Sequence, residues 1–93
     1  MSGLIDPESI RARLSELNPK AYIWPEFDSA LVGIGCQGSQ LPVAIYDERG
    51  IINALIVDNG LSYTDAWEHY AYNIACAYMG DNTPIVIESD MIR

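Results

Sequence analysis

The sequence predicts an α+β domain in which helices cover one side of a small antiparallel sheet of about three strands, in the order α-β-β-α-α-β. Three observations lead to this fold class. Two segments join a helix-capping residue to apolar side chains at helical spacing. Three shorter segments are apolar and bounded by turn residues, which is typical of strands. With 93 residues that are 49% hydrophobic, the chain is expected to form a single acidic domain over residues 1–93.

The first helix is predicted to begin after Asp6 and to end at Asn18-Pro19. Asp6 is a preferred N-cap residue, and Pro7 suits the first helical position because a proline nitrogen has no hydrogen to donate. The apolar stripe of this helix is Ile10, Leu14 and Leu17. Residues 20–28 follow as an irregular connection whose aromatic side chains are expected to fill the core.

Residues 29–36 and 41–46 are predicted to be the two strands of an antiparallel hairpin. Both segments are short, apolar and flanked by turn residues. Gly33 and Gly35 weaken the first strand, and glycines inside a strand suggest a bulge or the close approach of another group. Pro42 lies near the start of the second strand, where its missing N–H is tolerated.

Residues 47–60 allow two interpretations. As a strand, the β-branched run IINALIV would lie between two turns. As a helix, the segment would begin after Asp47 and end at Gly60, with an apolar stripe at helical spacing. That stripe is Ile51, Ile52, Leu55 and Ile56. The cap residues and the spacing favour the helix, while the β-branched content leaves the strand open.

Residues 62–79 are predicted to form the longest helix. Ser62 is a preferred N-cap residue, and Gly80 is expected to end the helix. The side chains predicted to face the core are Tyr63, Trp67, Tyr70, Ala71, Ile74 and Tyr78. Residues 83–88, TPIVIE, are predicted to be the closing strand.

The chain is strongly acidic, with 13 acidic residues against 5 basic ones and a formal net charge of −8. Binding to DNA or RNA depends on Lys and Arg side chains that displace counterions, so direct nucleic-acid binding is not expected. The acidity has two explanations. It keeps a small protein soluble and monomeric, or it complements a host protein with a basic surface, such as the groove of a nucleic-acid-binding protein.

The sequence gives no sign of a membrane or secretory protein. No apolar run approaches the roughly 18 residues that a membrane span requires. The first residues, MSGLIDPESIRARL, lack the basic start and apolar stretch of a secretory signal. The expected location is therefore the cytoplasm.

One face of the helix over residues 62–79 is the candidate partner-binding face. Four side chains lie together on it, opposite the predicted core stripe: Asp65, His69, Tyr72 and Cys76. A solvated surface explains the two polar residues, whereas Tyr72 and Cys76 are more apolar than such a surface requires, and tyrosine is favoured in interfaces. Catalysis by His69 and Cys76 is not expected, because two helical turns, about 10 Å, separate them.

Neither a cofactor nor a metal site is expected. Cys36 and Cys76 are far apart in the chain, and with the single histidine they fall short of a complete structural zinc site. The glycines of residues 33–38 resemble a phosphate-binding loop, but neither the lysine of a P-loop nor a helix follows them. Asn73 is expected at the edge of the core, with its amide bonded to the loop of residues 80–83.

Five short motifs of the chain are similar to a family of small proteins found in bacteriophage and prophage genomes. They are ALVGI (residues 30–34), VAIYD (43–47), GLSY (60–63), AYMG (77–80) and TPI (83–85), with Asp65-Ala66 and Asn73 between them. The resemblance covers residues 29–87, about two-thirds of the chain, and leaves the first helix out. It implies a phage accessory protein in the bacterial host cytoplasm and carries no reaction, ligand or catalytic residue.

Three functions are compatible with these features, in order of preference. The first is a non-enzymatic accessory protein that binds and inhibits a host protein, of the anti-CRISPR type by analogy with other small acidic phage proteins. The second is a structural or morphogenesis-related module that forms a homo-oligomer through Tyr72, Cys76 and the exposed sheet face. The third is a small-ligand-binding protein that uses residues 33–38.

Overall fold

Helices and strands follow one another in the predicted order in the computed structural model, which describes residues 6–75 and 80–88. A short 3₁₀ helix is added before the first strand. The elements are α1 (Pro7–Leu17), the 3₁₀ helix (Pro25–Ala30), β1 (Leu31–Gly35), β2 (Val43–Asp47), α2 (Glu48–Asn59), α3 (Tyr63–Asn73) and β3 (Ile85–Ile87). The α+β class and the order α-β-β-α-α-β are therefore confirmed.

The three strands form one sheet in the order β1-β2-β3. β1 and β2 are antiparallel, with Gly35 opposite Val43, as the hairpin prediction requires. β3 joins the other edge of β2 in parallel, with Ile85 beside Ile45. The sheet is thus mixed, and the prediction of a wholly antiparallel sheet was wrong in this respect. A parallel partner needs a long crossover, and the connection that holds α2 and α3 supplies it.

The glycines of β1 have the two roles that the sequence suggested. The pairing register shifts between Leu31 and Gly33, which is a β-bulge. A methyl group added at Gly35 would lie 2.6 Å from Cδ1 of Ile45, so the side chain of Ile45 lies directly across this glycine. Glycine allows this close approach, and the end of the Ile45 side chain would have to shift to admit a methyl group.

The helices cover one face of the sheet. Alternate strand residues point to opposite faces, and Ala44, Tyr46, Ile34 and Val86 belong to the core or pack against it. The residues between them and their register partners belong to the other face, which we call the helix-free face. Its members are Gly33, Gly35, Val43, Ile45, Asp47, Ile85 and Ile87. None of these seven residues belongs to the core cluster or packs against it, although Val43 is buried.

The helix α1 begins as the sequence predicts. The Asp6 carboxylate accepts a hydrogen bond of 2.7 Å from the Ser9 amide, which caps the helix. Two members of the predicted stripe, Ile10 and Leu14, are buried, but Leu17 is 40% exposed. The side chain of Asn18 takes the buried position at the end of the helix instead, where it is only 1% exposed.

Residues 47–60 form a helix, which settles the choice that the sequence left open. Asp47 caps α2 by accepting a hydrogen bond of 3.1 Å from the Gly50 amide. Gly60 ends it in the left-handed conformation, with φ at 72°, which glycine adopts without strain. Ile51, Ile52, Ala54 and Leu55 are buried, so the predicted stripe does face the core.

The helix α3 ends at Asn73, so the predicted helix was too long, and the part of the prediction over residues 76–79 lies outside the described residues. The amides of Ile74 and Ala75 both donate to the carbonyl of Tyr70, so the regular hydrogen-bond ladder stops there. Gly80 does not cap α3. It has φ at 90° and lies in a turn, where its carbonyl accepts hydrogen bonds from the amide and the hydroxyl of Thr83.

The strands are shorter than the sequence predicts. β2 and β3 begin immediately after Pro42 and Pro84, whose nitrogens cannot join a strand ladder. β1 begins at Leu31 because residues 29 and 30 belong to the 3₁₀ helix. Residues 25–30, predicted in part to be irregular, form a 3₁₀ helix with a kink at Phe27, whose backbone angles are not helical.

The aromatic residues before β1 divide between core and surface. Phe27 is buried, and the ring of Trp24 packs on Tyr46 with 5.0 Å between centroids. The Tyr46 hydroxyl accepts a hydrogen bond of 2.7 Å from the Trp24 amide. Tyr22 is 44% exposed, so only part of this segment fills the core as predicted.

Candidate functional site

The structure places three of the four predicted partner-binding residues on one exposed surface. Asp65, His69 and Tyr72 all lie in α3, and all three are exposed. Tyr72 exposes 81% of its surface, an unusual amount for a large aromatic side chain. Cys76 lies outside the described residues.

Asn73 lies beside His69, although the sequence predicted that it contacts the loop of residues 80–83. The side-chain amide of Asn73 donates a hydrogen bond of 3.2 Å to the His69 carbonyl and lies 3.4 Å from its Nδ1 atom. Asn73 is exposed and bonds within its own helix, so the prediction that it contacts the loop of residues 80–83 was wrong. One turn separates the two residues, and this spacing brings their side chains together.

The second side of α3 carries aromatic residues that the sequence assigned to the core. Ala66, Tyr70 and Ile74 are buried, but Tyr63 is 67% exposed and Trp67 is only partly buried. Tyr63 is the first residue of α3, and helical side chains tilt toward the N-terminus, so no further turn of this helix covers it. Ala71, also predicted to be buried, is exposed, and Tyr78 lies outside the described residues.

These exposed side chains form a continuous surface with the neighbouring helix. A groove of about 470 Å³ between α2 and α3 is lined by Arg49, Ile52, Asn53, Ile56, Tyr63 and Trp67. A shallow depression of about 690 Å³ adjoins it and is lined by Tyr63, Thr64, Trp67, Glu68, Ala71 and Tyr72. Tyr63 and Trp67 belong to both, and their rings meet edge to face at 6.3 Å. We call the two concavities together the aromatic face.

Tyr70 connects the aromatic face to α2. Its ring lies edge to face with Trp67, with centroids 5.7 Å apart. Burial, a hydrogen bond to Glu48 and the negative charges of Glu48 and Glu88 raise the pKa of Tyr70. The phenol therefore keeps its proton at neutral pH and links α3 to the first turn of α2. A rigid support of this kind reduces the entropy lost when a surface binds.

Acidic residues border the aromatic face. Glu68 lines the depression, and the exposed Asp65 precedes it by one turn of α3. Arg49 lines the groove at its α2 side. The face thus combines aromatic contact area with negative charge along α3.

The glycine-containing segment of residues 33–38 is part of the hairpin. Gly33 and Gly35 pair with β2, and Gly38 lies in the turn with φ at 59°. A cavity of about 310 Å³ beside this turn is lined by Gln37, Gln40, Leu41, Val43, Gly80, Asp81, Thr83, Pro84 and Ile85. This described lining includes an acid and no base, which disfavours a phosphate group.

The described part of the chain was also searched for metal ligands and membrane spans. Within residues 6–75 and 80–88, no group of three His, Cys, Asp or Glu side chains lies close enough together to hold a metal ion. Over the same ranges, no helix has the length and the apolar character needed to cross a membrane.

Comparison with known protein families, curated proteins and solved structures gives no match to this chain. The relation to the phage family therefore stays a prediction that rests on the quoted motifs. The function is therefore inferred from the surfaces of the molecule itself.

One member of the aromatic face, Tyr63, was predicted to face the core and is exposed, whereas Trp67 packs against the core as predicted and also lines both concavities. A helical wheel places Tyr63 on the same side as Tyr70, but it does not show how far the neighbouring helix extends. The available signal was position, since Tyr63 directly follows the N-cap Ser62. Helical side chains point back toward the N-terminus, so the ring of a first residue extends away from the rest of its own helix.

Proposed function

We propose that this chain is a non-enzymatic accessory protein of phage type that binds a host protein with a basic surface and inhibits it in the bacterial cytoplasm. The observation that carries the proposal is the aromatic face, where Tyr72 and Tyr63 are 81% and 67% exposed. Tyr and Trp are strongly enriched among the residues that contribute most binding energy at protein interfaces. They supply large contact areas at a small cost in side-chain entropy.

The charge of the chain supports a basic partner. The formal net charge is −8, and Asp65 and Glu68 lie beside the exposed aromatic rings. Opposite charge on a partner accelerates association and discriminates against acidic competitors. A nucleic-acid-binding protein fits this description, because its working surface is rich in Lys and Arg.

Inhibition follows from occupancy of such a surface. An acidic protein that covers a basic groove competes directly with the nucleic acid that the groove binds. The aromatic residues add contacts that a phosphate backbone does not make. The resemblance to phage proteins supports a target among host defence proteins, as for anti-CRISPR inhibitors.

The test is capture of partners from bacterial lysate with matched variants as bait. The double variant Tyr63→Ala/Tyr72→Ala removes the exposed rings of the aromatic face. Tyr22→Ala removes an aromatic ring that is 44% exposed outside this face and serves as the control. We expect the wild-type chain and Tyr22→Ala to retain the same protein and the double variant to lose it. The purified partner is then assayed for nucleic-acid binding with and without the chain.

Charge reversal tests the electrostatic part separately. Asp65→Lys/Glu68→Lys is expected to slow association with the captured protein and to weaken its dependence on salt concentration. A partner that binds the charge-reversed chain unchanged contradicts the basic-surface assignment. A partner that binds the double tyrosine variant with unchanged affinity contradicts the assignment of the aromatic face as the binding site.

A further inference from the structure

The two concavities of the aromatic face differ in charge. Tyr63 and Trp67 contribute their rings to both, but Arg49 lines the groove, whereas Glu68 lines the depression. Glu68 is the one charged side chain in the described lining of the depression, and Asp65, one turn earlier in α3, adds a second negative charge. Opposite charges attract and like charges repel, so a cation is favoured in the depression over the groove.

The negative charge of Glu68 is available to a bound cation. Its side chain is exposed on α3, and within residues 6–75 and 80–88 it has neither a hydrogen bond nor an ion pair. Other acids of the chain already have partners, since Asp28 pairs with Arg11 and Asp47 caps α2. A cation that reaches Glu68 therefore displaces no internal contact.

Tyr72 provides an open aromatic ring next to this carboxylate. It follows Glu68 by four residues in α3, and side chains at this spacing are neighbours on a helix surface. Its ring is 81% exposed and belongs to no aromatic pair among the described residues. The face of an aromatic ring carries partial negative charge and attracts a cation placed over it. Ring and carboxylate therefore act on the same cation.

The floor of the depression is formed by two small side chains. Successive residues are about 100° apart around a helix, so Thr64 and Ala71 lie between the side of Trp67 and that of Tyr72. Neither side chain is long enough to fill the space above it. The methylene stem of a long basic side chain can lie over this floor while its charged end reaches Glu68.

The open shape of the depression favours arginine over lysine. A lysine ammonium is compact and strongly hydrated, and a shallow surface does not remove its water. A guanidinium is planar and more weakly hydrated, stacks on aromatic faces, and offers paired N–H groups to one carboxylate. A flat ring such as that of Tyr72 beside the Glu68 carboxylate matches both properties.

We infer that the depression binds an arginine side chain of the partner protein. The guanidinium stacks on the ring of Tyr72 and donates hydrogen bonds to the carboxylate of Glu68, and the stem packs over Ala71. The inference rests on the proposed function, because the arginine belongs to the host protein that the aromatic face contacts. It adds a requirement that net charge does not impose, namely arginine at this point of the partner's surface.

Two peptides of equal length and charge test the preference directly. Tetra-arginine and tetra-lysine, both with capped ends, are titrated into the full chain, and binding is followed through the NMR resonances of the Tyr72 and Trp67 rings. The formal net charge of −8 attracts both peptides alike. A difference in affinity between them therefore measures recognition of the guanidinium.

Matched variants locate the site. Tyr72→Leu removes the ring but keeps an apolar side chain, and Glu68→Gln removes the charge but keeps the shape. Their controls are Tyr22→Leu, at a tyrosine that is 44% exposed outside the aromatic face, and Glu16→Gln, at an exposed acid of α1. Circular dichroism and thermal unfolding verify that all four variants are folded.

We expect tetra-arginine to bind the wild-type chain at least about threefold more tightly than tetra-lysine. Tyr72→Leu is expected to abolish this preference by weakening the arginine peptide alone, and Glu68→Gln to weaken both peptides. The preference should persist in Tyr22→Leu and Glu16→Gln. Equal affinity of the two peptides for the wild-type chain overturns the inference, and so does a preference that survives Tyr72→Leu or that is lost in either control.

The titration is independent of the capture experiment, so the two failures can be told apart. A chain that prefers tetra-arginine but captures no protein from lysate supports the arginine site and contradicts the proposed function. A chain that captures a host protein through the aromatic face but binds both peptides equally overturns the inference and leaves the proposed function standing.

Discussion

The side-chain amide of Asn18 donates a hydrogen bond of 2.9 Å to the side-chain oxygen of Asn82, 64 residues further along the chain. The same amide donates to the Pro42 carbonyl at 2.8 Å. The Asn18 side-chain oxygen accepts the Lys20 amide at 3.2 Å. One buried polar group thus connects the end of α1, the start of β2 and the turn before β3.

Removal of this group is expected to destabilise the fold. Asn18→Ala leaves the Pro42 carbonyl and the Asn82 side chain without their donor, and a buried polar group that loses its partner costs about 1–3 kcal/mol. Asn53→Ala, at an exposed position of α2, is the control and is expected to change the free energy of unfolding by less than about 0.5 kcal/mol. Urea unfolding measures both variants. Equal effects would show that the Asn18 network contributes little.

Gly50 is expected to reject a methyl group although it lies in a helix. Alanine favours a helix over glycine by about 1 kcal/mol. A Cβ atom at Gly50, however, would lie 2.7 Å from Cβ and 2.9 Å from Cα of Ala30. We expect Gly50→Ala to lower the free energy of unfolding by at least about 1 kcal/mol.

The control for Gly50 is Gly33→Ala, where the added methyl group has open space. Thermal unfolding of both variants is compared under the same conditions. A Gly50→Ala variant as stable as Gly33→Ala would mean that α2 and the 3₁₀ helix can move apart without loss.

The stability of the fold is expected to fall at alkaline pH through Tyr70. Burial, the hydrogen bond to Glu48 and the charges of Glu48 and Glu88 raise the folded-state pKa of Tyr70 above the unfolded value of about 10. The folded state therefore holds this proton more tightly. Its contribution is complete below about pH 10 and is lost as the pH rises through the folded-state pKa.

Urea unfolding between about pH 8 and about pH 11 checks this dependence. Tyr70→Phe is expected to flatten the loss of stability above about pH 10. Ile74→Val, at a buried position near the end of the same helix, is a matched control that lowers stability without a titrating group. If Tyr70→Phe and Ile74→Val show the same slope as the wild-type chain, Tyr70 is not the titrating group.

The stability of the fold is expected to fall at acid pH through Asp6. Hydrogen bonds from Ser9, first from its backbone and then from its side chain, lower the pKa of Asp6. The contribution of this ionised cap is present above the unfolded value of about 3.9 and is lost as the pH falls through the folded-state pKa. Asp6→Asn keeps an acceptor for the Ser9 amide but does not titrate. Unfolding at pH 5 and at about pH 3 should therefore show a smaller loss in Asp6→Asn than in the wild-type chain.

The helices α1 and α2 could be predicted from the sequence because their ends are encoded locally. Asp6 and Asp47 cap their helices, because each carboxylate accepts a hydrogen bond from the amide three residues further on. Gly60 adopts the left-handed conformation that ends α2. Each signal lies within a few residues of the boundary that it sets. The ambiguity of residues 47–60 is resolved by both caps together, since a strand uses neither.

The parallel pairing of β3 and the extent of the aromatic face could not be predicted in this way. The direction of β3 depends on where α2 and α3 return the chain, which no residue near Ile85 encodes. Tyr63 shares a helical side with buried residues, and its exposure depends on the length of the contact with α2. Periodicity identifies which residues share a side, while tertiary contacts decide how much of that side is covered.

The contact between Asn18 and Asn82 also bears on when the chain folds during synthesis. Both edges of β2 need partners, and the second partner, β3, follows Asn82 in the sequence. A nascent chain that stops before Asn82 contains α1, the hairpin, α2 and α3, but the buried amide of Asn18 lacks one acceptor and β2 has an open edge. The domain therefore closes after translation has passed β3, and until then the nascent chain has a central strand that is paired on one edge only.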